Sequence, residues 1–239
     1  MFSHYNKVKR MEGDLKETIE MEEPKIAKGF DRGIDYVPMK KMLINEMKKQ
    51  IKDLLQLDSN GDTFKKQQQR IVNRLIYLTI SCIQLRNGSR ITEACKAFAY
   101  FLTKRKLKVI VKIAKSEKKA YKIMKGNEII IKNKTKARYR TMVFPTNWFI
   151  FDILQTISDT ENYVGCVNNH RLEKRVLDYL LFNFNCNTHS LRYAFINYML
   201  TKKKIPMATV AKMVGHVNPN QLCTYTQNKQ VEEALNMDI

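Results

Sequence analysis

Apolar residues recur at helical spacing along most of this chain. The segment 38–57 carries them every three or four positions, with lysines elsewhere, which predicts an amphipathic helix. The segments 67–85, 147–157 and 171–182 repeat the pattern and should supply core helices, including the aromatic side chains of Trp148, Phe149 and Phe151. In the first two helices the apolar positions are Met39, Met42, Leu43, Ile51, Leu54 and Leu55, then Ile71, Leu75, Leu78, Cys82 and Ile83.

A different pattern occupies the middle of the chain. Residues 107–114, about 120–124, 128–133 and 139–144 are rich in β-branched and aromatic side chains and are separated by polar turns. We expect them to form a small antiparallel sheet. The fold class is therefore predicted to be mainly α with a small antiparallel β-sheet (α+β).

The C-terminal segment 188–226 contains the start and stop signals of three short helices. Thr188 can cap the first, whose apolar positions end before the basic run 202–204. Pro206 suits the first turn of the second, and Gly215 suits its left-handed end. Asn218 and Pro219 signal a third start, which places Tyr225 about two turns into the last helix. The apolar positions of the first helix are Leu191, Phe195, Tyr198 and Met199.

This segment also contains residues that could bind phosphate. His189 and Arg192 are three positions apart, so both side chains lie on one face of a helix. A guanidinium can hold two phosphate oxygens at once and keeps its charge. His216 follows the predicted helix end on an exposed turn, and Tyr225 comes nine residues later. Each feature alone is ordinary: a surface pair, a helix stop or a core tyrosine. Their order and spacing together favour a phosphate site.

That set of residues resembles the signature of the tyrosine recombinases, or phage-type integrases: His-x-x-Arg, then Gly-His, then a nucleophilic tyrosine. The resemblance covers roughly residues 67–239 and implies a DNA strand-cleaving enzyme with Tyr225 as nucleophile. It also implies an upstream arginine followed three positions later by an acidic residue. The stretch NGSRITEA supplies Arg90 and Glu93, after the Asn87-Gly88 turn and with Ser89 as a candidate helix cap.

The resemblance further implies a lysine in a β-hairpin between the two arginines. The stretch IIIKNKTKARYRTMVFP offers Lys132, Lys134 and Lys136, of which Lys134 matches best and Lys136 remains an alternative. In the implied reaction Tyr225 forms a 3′-phosphotyrosine and the lysine protonates the departing 5′-oxygen. The implied catalytic set is Arg90, Lys134, His189, Arg192, His216 and Tyr225, supported by Glu93.

Positive charge is concentrated in one third of the chain. The net charge is +20, and residues 65–140 contain 22 Lys and Arg against three Glu. A one-sided excess of this size is typical of a surface that binds a polyanion, so the expected partner is double-stranded DNA. A membrane surface is a weaker candidate, because these lysines interleave with strand-like residues rather than lining an amphipathic helix. Expected DNA contacts are Lys104, Arg105, Lys106, Lys132, Lys136 and Arg138.

Five scattered cysteines without a C-x-x-C pair suggest reduced, mostly buried thiols in an intracellular protein. Cys166 and His170 alone hint at a metal pair, and two ligands are too few for zinc, so no metal or cofactor is expected. No apolar run is long enough to span a bilayer, and the N-terminus lacks a signal-peptide core. If the protein is viral, it should act in the host cytoplasm or nucleus, wherever the DNA is.

The sequence therefore predicts a site-specific recombinase or integrase of a virus or mobile element. By resemblance it would act as a homotetramer on paired DNA sites and be a monomer or weak dimer when free. Alternatives are a nicking-closing enzyme like the type IB topoisomerases and a DNA-binding accessory protein with a decayed active site. The expected domains are 1–64, an arm with a short helical segment, and 65–239, the catalytic domain. The first is either a reduced DNA clamp or the remainder of a longer one.

Overall fold

The computed structural model describes residues 33–57, 62–114, 116, 121–125, 128–132, 136–144, 152, 154 and 171–225. Its α-helices are α1 (Tyr36–Leu55), α2 (Asp62–Asn87), α3 (Ile91–Lys104), α4 (Leu172–Phe184), α5 (Thr188–Asn197) and α6 (Met207–Val214). Its strands are β1 (Lys108–Lys112), β2 (Tyr121–Lys125), β3 (Glu128–Lys132) and β4 (Tyr139–Val143). The predicted α+β class is confirmed.

Helix α2 lies at the centre of the fold. Helices α1, α3, α4 and α5 all pack against it, and so does strand β4. Its apolar residues are therefore buried on several faces rather than on one stripe, including Leu75, Ile76, Leu78, Ile80 and Ile83, which are fully buried. The C-terminal end of this central helix leads directly into the turn at Asn87 and Gly88.

Helix α1 begins at Tyr36, two residues before the predicted start at Pro38. A proline is tolerated there because the first turn of a helix does not use its N–H groups. Met39, Leu43, Met47 and Ile51 form the buried face. The prediction was wrong for Met42 and Leu55, which are 47% and 79% exposed, because the contact with α2 covers a narrower stripe than the apolar pattern suggested.

The strands pair in two antiparallel ladders rather than in one sheet. β1 pairs with β4, and β2 pairs with β3. Only two residues separate β2 from β3 in sequence, as in a short β-hairpin. The β2–β3 pair thus falls, in sequence, between the two strands of the other pair. On β1 and β4 the residues alternate in burial, so Val109, Val111, Arg140 and Met142 share the buried face. An arginine on that face is unexpected from the strand pattern.

The predicted helix caps in two places are off by one residue. Arg90, not Ser89, is the N-cap of α3, because the Glu93 carboxylate accepts the Arg90 backbone N–H at 3.3 Å. Ser89 is buried, and its hydroxyl has no hydrogen-bond partner among the described residues. Asn187, not Thr188, caps α5, because its Oδ1 accepts the Ser190 N–H at 2.8 Å.

The other helix boundaries in the C-terminal segment are close to the predicted ones. Helix α5 continues as a π-helix (Tyr198–Lys202), and Pro206 is the N-cap of α6 rather than its first-turn residue. Gly215 ends α6 with φ +79°, as expected. A 3-10 helix (Pro219–Tyr225) follows, and Asn218 Oδ1 accepts the Asn220 N–H at 2.9 Å.

Several sequence predictions concern residues for which no placement is described. These include Trp148, Phe149, Phe151, Cys166 and His170; of the segment 147–157 only Asp152 and Leu154 are described, both helical. Cys82, Cys95 and Cys186 are buried as predicted, and burial raises the pKa of Cys82 and of Cys95 to about 12. Within the described ranges, no cluster of His, Cys, Asp and Glu could hold a metal ion, and no helix is long and apolar enough to cross a membrane.

Candidate active site

A basic cleft lies where the start of α3, the end of β1 and the end of α6 meet. Its volume is about 640 Å³. Basic groups from three separate parts of the chain face it, and among its described lining residues none is acidic. The lining residues are Arg90, Ile113, Ala114, Ser116, Lys136, Arg138, Gly215, His216, Val217 and Gln221. A cleft of this composition attracts anions.

Glu93 holds the first of these basic groups in place. Its carboxylate is buried, and Oε1 lies 3.3 Å from Nη1 of Arg90, whose side chain is 24% exposed. The same oxygen accepts the Ala114 N–H at 3.0 Å, which ties the end of β1 to α3. Arg90 Nη1 also lies 3.4 Å from the Ala114 carbonyl. The predicted contact between Glu93 and Arg90 is therefore present, while the supporting role of Glu93 in catalysis stays a prediction.

Arg192 lies within the protein rather than on the wall of the cleft. The residue is 1% exposed. Its Nη1 donates to the Gly88 carbonyl, and its Nη2 donates to the Val214 carbonyl at 3.1 Å. Gly88 lies in the turn before α3, and Val214 ends α6. Arg192 thus places a fixed positive charge behind the residues that face the cleft.

Arg140 makes a parallel set of contacts and was not singled out from the sequence. Its Nη1 donates to the Met213 carbonyl at 2.7 Å, and its Nη2 donates to the Asn87 carbonyl at 2.7 Å. Its Nε lies 3.6 Å from Glu93 Oε2. Burial lowers the pKa of Arg140 to about 10, Glu93 opposes that effect, and the charges of Arg192 and Arg90 add to it. No local motif marks this residue among the 22 basic residues of segment 65–140.

His216 projects from the turn after Gly215 and is half-buried. Its Nδ1 lies 2.7 Å from Gln221 Oε1, an acceptor, so the neutral ring carries its proton on Nδ1 and keeps a lone pair on Nε2. Burial lowers the pKa of His216 below its usual 6.5, and the charge of Arg192 lowers it further. The ring is therefore largely neutral near pH 7 and can accept a proton.

The remaining predicted residues are placed less completely. His189 is half-buried at the second position of α5 and is not among the lining residues of the cleft. Tyr225 ends the 3-10 helix that carries Gln221, while the position of its side chain is not described. Lys134 falls outside the described residues, and Lys132 ends β3. Lys136 and Arg138 are exposed and line the cleft.

Lys104, Arg105 and Lys106 form an exposed basic end to α3 and do not line the cleft. Arg105 adopts a left-handed conformation with φ 56°, and its guanidinium lies 5.8 Å from the centre of the Phe101 ring. A second cavity, of about 460 Å³, lies between α1 and α2 and is lined by Arg70 and Arg74. None of the predicted catalytic residues lines it, whereas Arg90 and His216 line the first cleft. The first cleft is therefore the candidate active site.

Two side-chain amides, the buried Gln84 and the half-buried Asn87, were also missed by sequence reasoning. Gln84 Nε2 donates to the Thr188 carbonyl at 2.6 Å and to the Ser89 carbonyl at 3.1 Å, which joins α2 to the start of α5. Asn87 exchanges two hydrogen bonds with the Val143 backbone, at 3.0 and 3.2 Å, and so fixes β4 against the end of α2. Hydrogen bonds from these side chains to the backbone of other elements depend on the tertiary fold, and no sequence signal could have identified them.

Known proteins resemble this chain over most of its length. "Putative integrase V10" of Sputnik virophage is 42% identical over 218 residues, which cover 90% of this chain and 93% of that protein. "Putative integrase ORF241" of Acidianus two-tailed virus is 30% identical over 211 residues, which cover 88% and 69%. "Uncharacterized protein MJ0770" of Methanocaldococcus jannaschii is 30% identical over 213 residues, which cover 86% and 87%. No family model matches.

Among solved structures, the XerH site-specific recombinase bound to difH substrate in a pre-cleavage complex is 16% identical, with a TM-score of 0.34. A post-cleavage complex of XerH with palindromic difH substrate is 17% identical, with a TM-score of 0.35. Each alignment covers 81% of this chain and 51% of the XerH chain, so the chain spans about half the length of these recombinases. Because it is 42% and 30% identical to the two viral integrases over most of its length, the chain belongs to their integrase family.

Proposed function

We propose that this protein is a site-specific DNA integrase that cleaves and rejoins DNA strands through a 3′-phosphotyrosine intermediate. The observation that carries the proposal is the basic cleft, in which Arg90, Lys136, Arg138 and His216 meet beside the 3-10 helix that ends at Tyr225. Names of the viral relatives support an integrase role. The proposed partner is double-stranded DNA, and the proposed context is a viral or mobile-element genome.

The proposed cleavage step is a transesterification at phosphorus. The phenolic oxygen of Tyr225 forms a bond to the scissile phosphorus, and the bond to the 5′-oxygen breaks. A phenol has a pKa of about 10 and is a weak nucleophile near neutral pH. Attack therefore needs the phosphate charge to be offset and the phenol proton to be accepted. Arg90 would supply the charge, and Nε2 of His216 would accept the proton.

Arg192 and His189 would act on the same phosphate in less direct ways. The guanidinium of Arg192 is buried and bonded to two carbonyls, so its contribution in this conformation is a fixed positive charge behind the cleft. His189 precedes Arg192 by three residues on α5, so both sit on one face of that helix. We assign His189 to hydrogen bonding with a nonbridging phosphate oxygen.

A lysine would complete the reaction at the leaving group. When the 5′-oxygen departs as an alkoxide, an ammonium group can give it a proton, which is general-acid catalysis. We assign this role to Lys134, with Lys136 as the alternative because Lys136 lines the cleft. The phosphotyrosine keeps the energy of the broken bond, so a second 5′-hydroxyl can reverse the step without ATP or a metal.

The remaining parts of the proposal concern assembly. Exchange of strands requires two DNA sites and four active sites, so we propose a homotetramer on paired sites and a monomer or weak dimer in free solution. We assign residues 65–239 to catalysis and residues 1–64 to an arm and a short clamping segment. Helix α1, which lies in that segment, packs on α2. The exposed basic residues Lys104, Arg105 and Lys106 are proposed to contact DNA outside the cleft, as is Lys132.

The decisive experiment is trapping on nicked suicide DNA duplexes that carry candidate attachment sites, followed by mapping of the linked peptide. We expect wild type to form a covalent adduct at Tyr225. Tyr225→Phe should abolish the adduct and leave DNA affinity nearly unchanged, because one hydroxyl is lost while the basic cleft is kept. Tyr193→Phe and Tyr198→Phe are matched controls that should still form it. A linked peptide containing Tyr193 or Tyr198 would overturn the assignment.

A relaxation assay with the same purified protein distinguishes an integrase from a nicking-closing enzyme. Supercoiled plasmid without a cognate site should remain supercoiled if cleavage requires a specific sequence. Relaxation of that plasmid would favour the topoisomerase-like alternative. Binding to DNA without an adduct on any duplex, at any attachment site, would favour the accessory-protein alternative.

A further inference from the structure

Two buried arginines connect the same two turns of the protein. Arg140 bonds the carbonyls of Asn87 and Met213, and Arg192 bonds the carbonyls of Gly88 and Val214, the next residue in each case. Both arginines are buried, with 7% of Arg140 and 1% of Arg192 exposed. The turn at the end of α2 and the last turn of α6 are thus joined twice by side chains that carry a full charge.

A contribution to stability would not by itself explain why two charged arginines are buried here. Burying a guanidinium removes its hydration, and a well-packed apolar residue at the same position is often as stabilising or more so. The Glu93 carboxylate is shared between Arg140, at 3.6 Å, and Arg90, at 3.3 Å. Two arginines share that single carboxylate, and the charge of Arg192 also acts on Arg140 and His216. The excess of positive charge lies next to the cleft, and a bound anion would offset it.

We propose that Arg140 is a positioning residue of the cleft. Arg90 follows Asn87 by three residues, and His216 follows Met213 by three residues. By holding both carbonyls, Arg140 sets the separation of the two turns that present Arg90 and His216 to the cleft. Its Nε also faces Oε2 of Glu93, whose Oε1 holds Arg90. The inference rests on the proposed function in that the cleft takes a phosphate group.

Two substitutions separate the geometry of Arg140 from its charge. Arg140→Lys keeps the charge but lacks the planar fork that reaches two carbonyls and a carboxylate. Arg140→Met removes both. Met142→Ala is the matched control for stability, because Met142 is fully buried two residues along the same face of β4 and contributes no polar group. Its lower melting temperature reports the effect of loosening this strand without touching the arginine.

The first measurement uses inorganic phosphate and requires no DNA. In protein labelled at histidine, phosphate should shift the ring resonances of His216, and the titration gives its affinity. We expect that affinity to fall about tenfold or more in both Arg140→Lys and Arg140→Met, since a misaligned charge-assisted hydrogen bond costs this much. In Met142→Ala it should match wild type. No phosphate-dependent shift of His216 in wild type would overturn the inference.

The second measurement is the rate of covalent adduct formation on suicide DNA, per folded molecule. Arg140→Lys should slow it about 100-fold, because a displacement of about 1 Å in a catalytic group can cost that much. Because Arg140 is proposed to act through Glu93 in part, the loss in Arg140→Lys should be smaller in a Glu93→Gln background. Equal rates and phosphate affinities in Arg140→Lys and Met142→Ala would show a purely structural role and overturn the inference.

The two measurements also keep this inference apart from the proposed function. If phosphate shifts His216 in wild type and binds weakly to Arg140→Lys, while no DNA yields an adduct, the positioning role stands and the proposed chemistry fails. If adducts form at Tyr225 and Arg140→Lys forms them as fast as Met142→Ala, the chemistry stands and the positioning role fails.

Discussion

His216 is the titratable group on which the chemistry of the cleft depends most directly. Burial and the charge of Arg192 both disfavour its protonated form, so its pKa lies below 6.5 in the folded protein. Between the pKa of His216 in the folded protein and its pKa of about 6.5 in the unfolded chain, the unfolded chain binds more protons than the folded one. His216 therefore makes the free energy of unfolding rise with pH through this range. At lower pH the protein is less stable by the full amount of that change.

This predicts two results for His216. By NMR titration, its pKa should lie below the ordinary value and should rise toward it in Arg192→Met, while Arg175→Met, an exposed arginine on α4, should leave it unchanged. In His216→Gln the free energy of unfolding should depend less steeply on pH as the pH falls below about 7. A wild-type pKa at or above the ordinary value would contradict the environment described for this ring.

The lysine that protonates the leaving group can be identified chemically. If the bridging 5′-oxygen is replaced by sulfur, the leaving thiolate is stable without a proton and the general acid becomes unnecessary. Lys134→Ala should then be severely slow on normal DNA and should recover most of its cleavage rate on the sulfur-substituted strand. Arg90→Ala should not recover, because the phosphate charge still has to be offset.

Rescue of Lys136→Ala instead of Lys134→Ala would move the role to Lys136, which lines the cleft. Rescue of neither variant would mean that both lysines bind phosphate and that the acid lies elsewhere. The comparison is measured as the ratio of single-turnover cleavage rates on the two strands, so it does not depend on differences in DNA affinity.

At the scale of elements, the turn between α2 and α3 leaves no room for a side chain at Gly88. Gly88 has φ +54°, and a Cβ there would collide with the ring of Phe195 and approach Val214 Cγ1 to 2.9 Å. The Gly88 carbonyl is one of the two groups bonded by Arg192. Only glycine combines this backbone conformation with such close approach of α5 and α6.

Gly88→Ala should therefore lower the free energy of unfolding by about 2–5 kcal/mol, the sum of a left-handed backbone cost and overpacking. Gly33 is the matched control, since its φ is +62° and a Cβ added there would meet none of the described residues within 4 Å. Gly33→Ala should cost only about 1–2 kcal/mol, from the backbone alone. Urea denaturation measures both, and equal losses would mean that the packing at Gly88 yields to an added methyl group.

At the scale of the whole molecule, the segment 65–140 carries 22 of the 43 basic residues and should dominate DNA affinity. Neutralising phosphates releases bound counterions, so affinity falls as salt rises. If about six phosphates are contacted, the slope of log K against log salt should be roughly −5. Fluorescence anisotropy on a labelled duplex at several salt concentrations gives this slope. A flat dependence would mean that the segment does not face DNA.

Much of the architecture was predictable from the sequence because it depends on local periodicity. The helical spacing in 67–85 and 171–182, the four strand segments and the stop at Gly215 all reflect preferences that a short window of residues carries. The association of Arg90 with Glu93 is equally local, since residues three apart meet on one turn of a helix. The error of one residue at Thr188 arose because the neighbouring Asn187 can also cap a helix. At Ser89 it arose because the Glu93 carboxylate accepts the backbone N–H of Arg90, which starts the helix one residue later.

The sequence by itself determined the family signature, the concentration of positive charge and the candidates for catalysis, because those depend on residue type and spacing alone. Only the tertiary structure decided which basic groups share a cleft and which are buried. Arg140 became a link between α2 and α6 because pairing of β4 with β1 turned it inward, toward the carbonyls of Asn87 and Met213. Those partners lie 53 and 73 residues away in sequence, and no local preference acts over such a distance.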